Sequence, residues 1–245
     1  MILERDKLIV VTMSTAPPFA FTDDSGELVG FDIDIVRLAA QSILKDPNKV
    51  EFVTVTAEGR WPAIQSGRAD VGVGGTTIYP DRALNAGFTT PFVDSGQTIL
   101  VSKEAGIKSL EDLNQEKYIV ANLSNPQMAD RARIYFPNAQ ILTFDTPSAQ
   151  FLALRSGRAH AMQIDKPTAD YFAAQHQDEL EVLPTLLGVS QNNSFYLPTD
   201  DFKWWLWLET FARELRTGSM YPQYSEIYQK WFGTKPPPQK FYLDK

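Results

Sequence analysis

Two stretches of the chain collect residue types that can hold a small charged molecule. The first is Gly74-Gly75-Thr76-Thr77, followed through Ile78-Tyr79-Pro80-Asp81 by Arg82. Glycine has no side chain, so a ligand can approach the backbone closely there. Thr76 and Thr77 add hydroxyls, and Arg82 adds a planar fork that can grip a carboxylate through two hydrogen bonds. Together these make a cradle for a small anion. The same residues also suit a plain α/β crossover that carries a surface arginine. The second stretch ends on the opposite charge, at Asp165 after Ala161-Met162-Gln163-Ile164.

The elements around the two stretches repeat. Ile64-Gln65-Ser66-Gly67-Arg68-Ala69-Asp70 reappears as Leu154-Arg155-Ser156-Gly157-Arg158-Ala159-His160, an offset of 90 residues (157 minus 67). Each copy closes a helix on glycine and opens an apolar strand, at 71–73 in one and 161–164 in the other. Two α/β units therefore present unlike charges from equivalent strand ends. Ligands of open α/β sheets sit outside the carboxyl ends of strands. An arginine from one unit and an aspartate from the other would suit a zwitterion between them.

Composition narrows the class. A chain of 245 residues can build one large or two modest cores. Its formal net charge of -7, with no basic run, disfavours nucleic acid and anionic membrane surfaces as partners. There is no cysteine, so neither disulfides nor thiolate chemistry are available. His160 and His176 stand in no metal-ligand spacing, no G-x-S-x-G elbow is present, and no cofactor or metal is implied. No apolar run reaches the roughly 20 residues of a membrane span. Glu4-Arg5-Asp6-Lys7 leads straight into a strand, so a signal peptide is expected to be absent; if the chain is exported, its leader has been removed.

In chain order, 7–13 reads as a buried strand and 14–21 as extended, because Pro17 and Pro18 forbid helix. A helix is predicted over 31–44, with Asp32 and Asp34 suiting its positive end. Strands follow at 50–55 and 70–73, and Arg82 stands near the start of the next helix. Residues 88–92 read as a loop, 97–103 as a strand and 109–114 as a helix. The second unit runs strand 118–121, helix to about 135, strand 141–144, helix 147–156, strand 161–164, helix 167–175. Ser124 or Asn125 caps the helix that opens at Pro126, and the amides of such a start could also receive a carboxylate. Residues 194–197 are extended. The helix over 201–217 carries Trp204, Trp205 and Trp207, read as packing rather than as a ligand platform. A last helix ends at Trp231-Phe232-Gly233, before Pro236-Pro237-Pro238.

As a set, several motifs are familiar: Ala16-Pro17-Pro18-Phe19, Gly30-Phe31-Asp32-Ile33-Asp34, Pro62…Gly67…Asp70, Thr76-Thr77…Arg82, Phe88-Thr89-Thr90-Pro91-Phe92 and Gly157-Arg158…Asp165. They resemble the polar amino-acid solute-binding proteins of ABC importers (the bacterial extracellular solute-binding proteins, family 3), over nearly the whole chain. The tail Tyr228-Gln229-Lys230-Trp231-Phe232 resembles the glutamate/aspartate or general L-amino-acid branch. The resemblance implies the two-lobed periplasmic-binding-protein fold (type II), two α/β lobes that close like a hinge. Lobe one would be 1–97 plus 195–245 and lobe two 98–194, with 97–102 and 190–196 as hinge strands.

Carried over, the resemblance gives Arg82 the ligand's carboxylate and Asp165 its ammonium, with Thr77, Gly75, Ser124 and Asn125 beside them. Arg60 matches a position that faces the side chain of an acidic ligand. Met13 stands where acidic-ligand binders carry a second arginine, and Ala16 and Ala57 where cationic-ligand binders carry aromatic rings. Leu123 replaces a glycine, and Asn125 a threonine, of the turn before the lobe-two helix. The implied function is binding of a free polar L-amino acid for a membrane permease, without catalysis. The implied protein is a monomer, periplasmic or extracellular and membrane-associated. Two alternatives differ in class. A cyclohexadienyl (prephenate/arogenate) dehydratase on this fold carries a glutamate where this chain has Thr168, a poor proton donor, and only Glu58 is a nearby carboxylate by sequence. A receptor's sensory domain would need a membrane tether.

Overall fold

The computed structural model describes residues 2–188 and 192–237. Its first sheet is built on Leu8–Thr12, whose run LIVVT is almost wholly buried. Such a run, apolar on both faces, belongs in the middle of a parallel sheet covered on two sides. Val50–Thr54 and Val71–Gly72 flank it in parallel. Beside Val71–Gly72 lies Tyr196–Leu197, antiparallel, and then the edge strand Gly87–Phe88. Tyr196 is paired with Gly72, and a Cβ on that glycine would stand 2.1 Å from the tyrosine ring. Only glycine lets the ring lie flat on the strand.

The second sheet has the same plan. Ile119–Leu123 is flanked in parallel by Gln140–Phe144 and Ala161–Asp165. Gln97–Ser102 then runs antiparallel to Ala161–Asp165, and Leu180–Val182 closes the edge. The 90-residue sequence repeat is thus a structural one. Val71–Gly72 and Ala161–Asp165 hold the same place in their sheets, and both deliver their carboxyl ends to the space between the units.

Helix Phe31–Leu44 covers the first sheet, burying Phe31, Ile33, Ile35, Val36, Ala39, Ala40 and Leu44. Helix Phe202–Thr217 packs on the same core, capped by the Asp201 carboxylate, which accepts from Trp204 N at 2.9 Å. Its indoles serve packing, as expected: Trp204 Nε1 donates to Asp70 O and Trp205 Nε1 to Phe88 O, both at 2.8 Å. The last helix, Tyr221–Phe232, stops on Gly233 at φ 71°. Pro238 and the residues after it lie outside the described residues.

Three local expectations change. Arg82 opens only a three-residue 3-10 turn, Arg82–Leu84, because the chain must re-enter the sheet at Gly87. Phe88, the first residue of the expected loop 88–92, belongs with Gly87 to that edge strand. Gln97–Ser102, expected as a connecting strand, lies inside the second sheet instead. The two crossings are made by Val93–Asp94 paired with Asn192–Asn193. Of the other expected hinge strand, Ser190 and Gln191 lie outside the described residues, and Tyr196 belongs to the first sheet.

The units touch on both sides of the space between them. On one side Gln127 Nε2 donates to Asp81 Oδ2 at 2.7 Å and Arg131 Nη2 to Tyr79 Oη at 3.1 Å. On the other, Ser148 Oγ donates to Thr15 O at 3.3 Å, and the Phe21 and Tyr171 rings lie 5.5 Å apart.

Candidate ligand-binding site

A single cavity between the sheets is lined by Arg82, Asp165, Thr77, Gly75, Arg60, Asn125 and Met13, so seven of the eight residues singled out in the sequence meet. Ser124 does not line it. That residue is exposed, and its amide is spent on Phe144 O at 2.8 Å. The alternative left open for the cap resolves to Asn125, whose Oδ1 accepts from Met128 N at 2.9 Å and fixes the start of helix Pro126–Tyr135.

One turn organises the first unit's side. Gly74 and Gly75 follow the strand at φ 117° and 61°, conformations that disfavour a side chain. Their amides point away from any ligand, into the Asp32 carboxylate, whose Oδ2 accepts them at 2.8 and 2.9 Å. The bare backbone therefore offers no free amide at Gly75. Asp32 is 1% exposed, and burial pushes its carboxyl up to about 7 against the pull of the two glycine amides. Its place in the first turn of helix Phe31–Leu44 puts the helix's positive end beside it.

The next two residues each hold an arginine. Thr76 Oγ1 accepts from Arg60 Nη1 at 2.9 Å, and Thr77 O accepts from Arg82 Nη1 at 2.9 Å. Arg60 is 6% exposed, its Nε has no hydrogen-bond partner, and burial lowers its pKa. Arg82 is half-buried. Its pKa falls to about 10, first through burial and then through the like charge of Arg60. Thr77 is also tied by its side chain to Asn193 of the crossing strand at 3.2 Å, which links the cradle to the connection between the units.

Asp165 faces this group from the other sheet. A Cβ on Gly75 would come within 3.7 Å of its Oδ2, which measures how narrow the cavity is. Burial raises the Asp165 carboxyl to about 7; a hydrogen bond from Gln97 and the charges of Arg131, Arg82 and Arg60 oppose the rise. Gln97 is oriented for this by its own oxygen, which accepts from Arg131 Nη1 at 2.7 Å and Gln163 Nε2 at 3.1 Å. An acceptor of one proton or one ammonium thus confronts two guanidinium groups across a space that also holds apolar Met13, Ala16, Phe19, Ala57 and Leu123.

Sequence reading missed Asp32, Gln97, Gln127 and Arg131. Asp32 carries a signal, an acidic residue among apolar neighbours at a helix start, but by sequence it suits only the positive end of the helix. The other three are polar residues on a strand or helix whose direction is decided by partners distant in sequence, Gln97 by its neighbours in the second unit, Gln127 and Arg131 also by the packing of the two units. Thr168 is buried and lines the cavity, while Glu58 is exposed and lines only the groove beyond Arg82. No helix of the described residues is long and apolar enough to cross a membrane, and no cluster among them could hold a metal ion.

The model of the bacterial extracellular solute-binding proteins, family 3, matches residues 8–234. The ABC transporter glutamine-binding protein GlnH of Bacillus subtilis is 33% identical over 165 residues, 67% of this chain and 60% of that protein's length. This chain therefore spans about 60% of that curated relative. Among solved structures, the ancestral amino acid-binding protein AncCDT-1, a precursor of cyclohexadienyl dehydratase, is 34% identical with a TM-score of 0.84, over 94% of this chain and 97% of that one. An ancestral arginine-binding protein bound to glutamine is 30% identical with a TM-score of 0.81, over 94% and 99%. With nine-tenths of its length inside one family model, this chain belongs to the bacterial extracellular solute-binding proteins, family 3.

Proposed function

We propose that the protein binds a free polar L-amino acid between two lobes, which meet at the crossing strands Val93–Asp94 and Asn192–Asn193, and hands it to the membrane permease of an ABC importer. It acts as a monomer outside the cytoplasmic membrane, in the periplasm or at the cell surface, and performs no catalytic step. The observation that carries this reading is the opposition of Arg82 and Asp165 across one cavity. An α-amino acid is the small molecule that brings a carboxylate and an ammonium on the same carbon. The relatives named for amino-acid binding support the same ligand class. Thr168, in the position a dehydratase needs for its acid, offers only a hydroxyl and supports binding without turnover.

Arg60 sets the choice among amino acids. It is the one guanidinium left for the ligand's side chain, since Met13 takes the place of a second. A buried cation with an open Nε disfavours lysine and arginine as ligands and suits an oxygen acceptor. Holding a full side-chain carboxylate against one arginine recovers little more than holding an amide oxygen. Glutamate and glutamine are therefore expected to bind within tenfold of each other. The relative named for glutamine and the ancestral structure bound to it are consistent with an amide ligand.

A thermal-shift screen against the twenty amino acids tests both statements, because a ligand of the folded state adds about 2.7 kcal/mol at a hundredfold excess over Kd. The largest shifts are expected for glutamine, glutamate and asparagine. No shift from any amino acid would overturn the function, and a largest shift from arginine or lysine would overturn the role of Arg60. Arg60→Ala is expected to weaken glutamate and glutamine alike; unaltered affinities would remove Arg60 from the site.

A further inference from the structure

Two guanidinium groups in one cavity repel each other, and something must hold them together before a ligand arrives. Both rest on the same ring. The Arg60 Cζ lies 4.7 Å from the Trp61 ring centroid and the Arg82 Cζ 5.3 Å from it. Arg82 also lies 4.8 Å from the Tyr79 ring. The negative face of an aromatic ring attracts a cation within about 6 Å of its centroid, and indole does so best. Trp61 is itself anchored: its ring meets that of Tyr196 at 5.4 Å, and Tyr196 is fully buried on Gly72. Trp61 is absent from the residues that line the cavity and lines the outer groove beyond Arg82.

We propose that Trp61 is a positioning residue: its indole carries Arg60 and Arg82 together and so sets ligand affinity without touching the ligand. Hydrogen bonds within the first unit leave each arginine one fixed point, Thr76 Oγ1 for Arg60 and Thr77 O for Arg82; the other hydrogen bond of Arg82, from Nη2 to Gln127 Oε1 at 3.5 Å, is long and reaches across to the second unit. The ring supplies a second point that belongs to the first unit itself. It also offsets part of the repulsion between two like charges brought into a narrow space. An aliphatic side chain of similar bulk fills the volume but has no negative face. The inference rests on the proposal that Arg82 holds the ligand's carboxylate.

The test is calorimetric titration with L-glutamine of the parent, Trp61→Leu, Trp61→Met, Trp61→Phe and Arg82→Ala, with a melting curve for each. Loss of the ring from beneath both cations is expected to weaken binding about tenfold in Trp61→Leu or Trp61→Met, and Trp61→Phe to restore it to within about threefold. Trp61 is half-buried on a short helix, so the variants are expected to stay folded at the titration temperature, and Met provides a second aliphatic replacement should Leu misfold. In an Arg60→Ala background the Trp61→Leu effect is expected to shrink, because one of the two cations it carries is gone. Parental affinity in both aliphatic variants, with binding lost in Arg82→Ala, would overturn the role of Trp61 and leave the proposed function standing. Equal losses in Leu, Met and Phe variants would also overturn it, since the π face would not matter. Unchanged affinity in Arg82→Ala, or no binding of L-glutamine by the parent, would remove the proposed site and this inference with it.

Discussion

Arg82→Ala is expected to lose most of the binding, about 2–5 kcal/mol, the usual consequence of truncating one partner of a buried hydrogen-bonded charge pair. The reason is local. Arg82 sits in a three-residue turn, with one nitrogen fixed on Thr77 O and its side chain between the Trp61 and Tyr79 rings, so the fork is aimed before the ligand enters. Alanine leaves the ligand's carboxylate facing only Arg60. Arg82→Lys is expected to bind weakly too, because a point charge cannot reproduce two parallel hydrogen bonds. Half-buried Arg82 carries little of the core, so the melting temperature without ligand should change little. Calorimetric titration with L-glutamine reads the loss, and parental affinity in Arg82→Ala would dismiss it as the anchor.

Asp165→Asn is expected to produce the second large loss, together with a change in pH dependence. In the parent without ligand the Asp165 carboxyl is raised from 3.8 to about 7 by burial. The ammonium of an amino acid needs the charged form. As pH falls below about 7 the group is protonated, and binding must first expel that proton, so affinity falls towards tenfold per pH unit. Above pH 8 the affinity is expected to be flat. Fold stability without ligand runs the other way: a carboxyl whose folded pKa is raised favours folding below about 4 and loses that contribution as pH rises through about 7. The thermal shift given by ligand should therefore be larger at pH 8 than at pH 6. Asparagine keeps the shape and one acceptor but not the charge, so its weaker binding should be level between pH 6 and 8. A parent whose affinity does not vary over that range, or a variant that still follows the parental slope, would contradict the assignment to Asp165.

Much of the fold could be read from the chain because its cues are short-range. The unbroken LIVVT run, the helix opening at Gly30-Phe31 and the glycine stops at 67 and 157 each fix an element by local sterics and burial. The repeat made the two sheets legible as copies, and hence the equivalence of the strand ends at Gly75 and Asp165. The connection between units was not legible in the same way. Gln97–Ser102 has the composition of any buried strand, and whether it joins a sheet or crosses between sheets depends on partners distant in sequence, here Ala161–Asp165 and Leu180–Val182.

The site divides along the same line. Arg82, Asp165, Thr77 and Asn125 could be named because their types and spacing carry chemistry by themselves. Gly75 was named for its backbone, yet its amide belongs to Asp32, a partner 43 residues away. Gln97, Gln127 and Arg131 act through contacts with residues distant in sequence: Arg131 with Gln97 inside the second unit and with Tyr79 across the gap, Gln127 with Asp81 and Arg82 across it. A single sequence does not encode such distances. Of the two cap residues left open by type, Ser124 and Asn125, the helix start uses Asn125, a choice that sequence alone does not make.

The most direct test of the proposed binding mode is a crystal structure of the protein grown with L-glutamine. The expected result is one glutamine in the cavity between the sheets, its α-carboxylate bidentate on Arg82 and its ammonium on Asp165, each within about 3.2 Å. Its amide oxygen should face Arg60. A glutamine bound elsewhere, or one in the cavity with its carboxylate turned away from Arg82 and its ammonium away from Asp165, would contradict it.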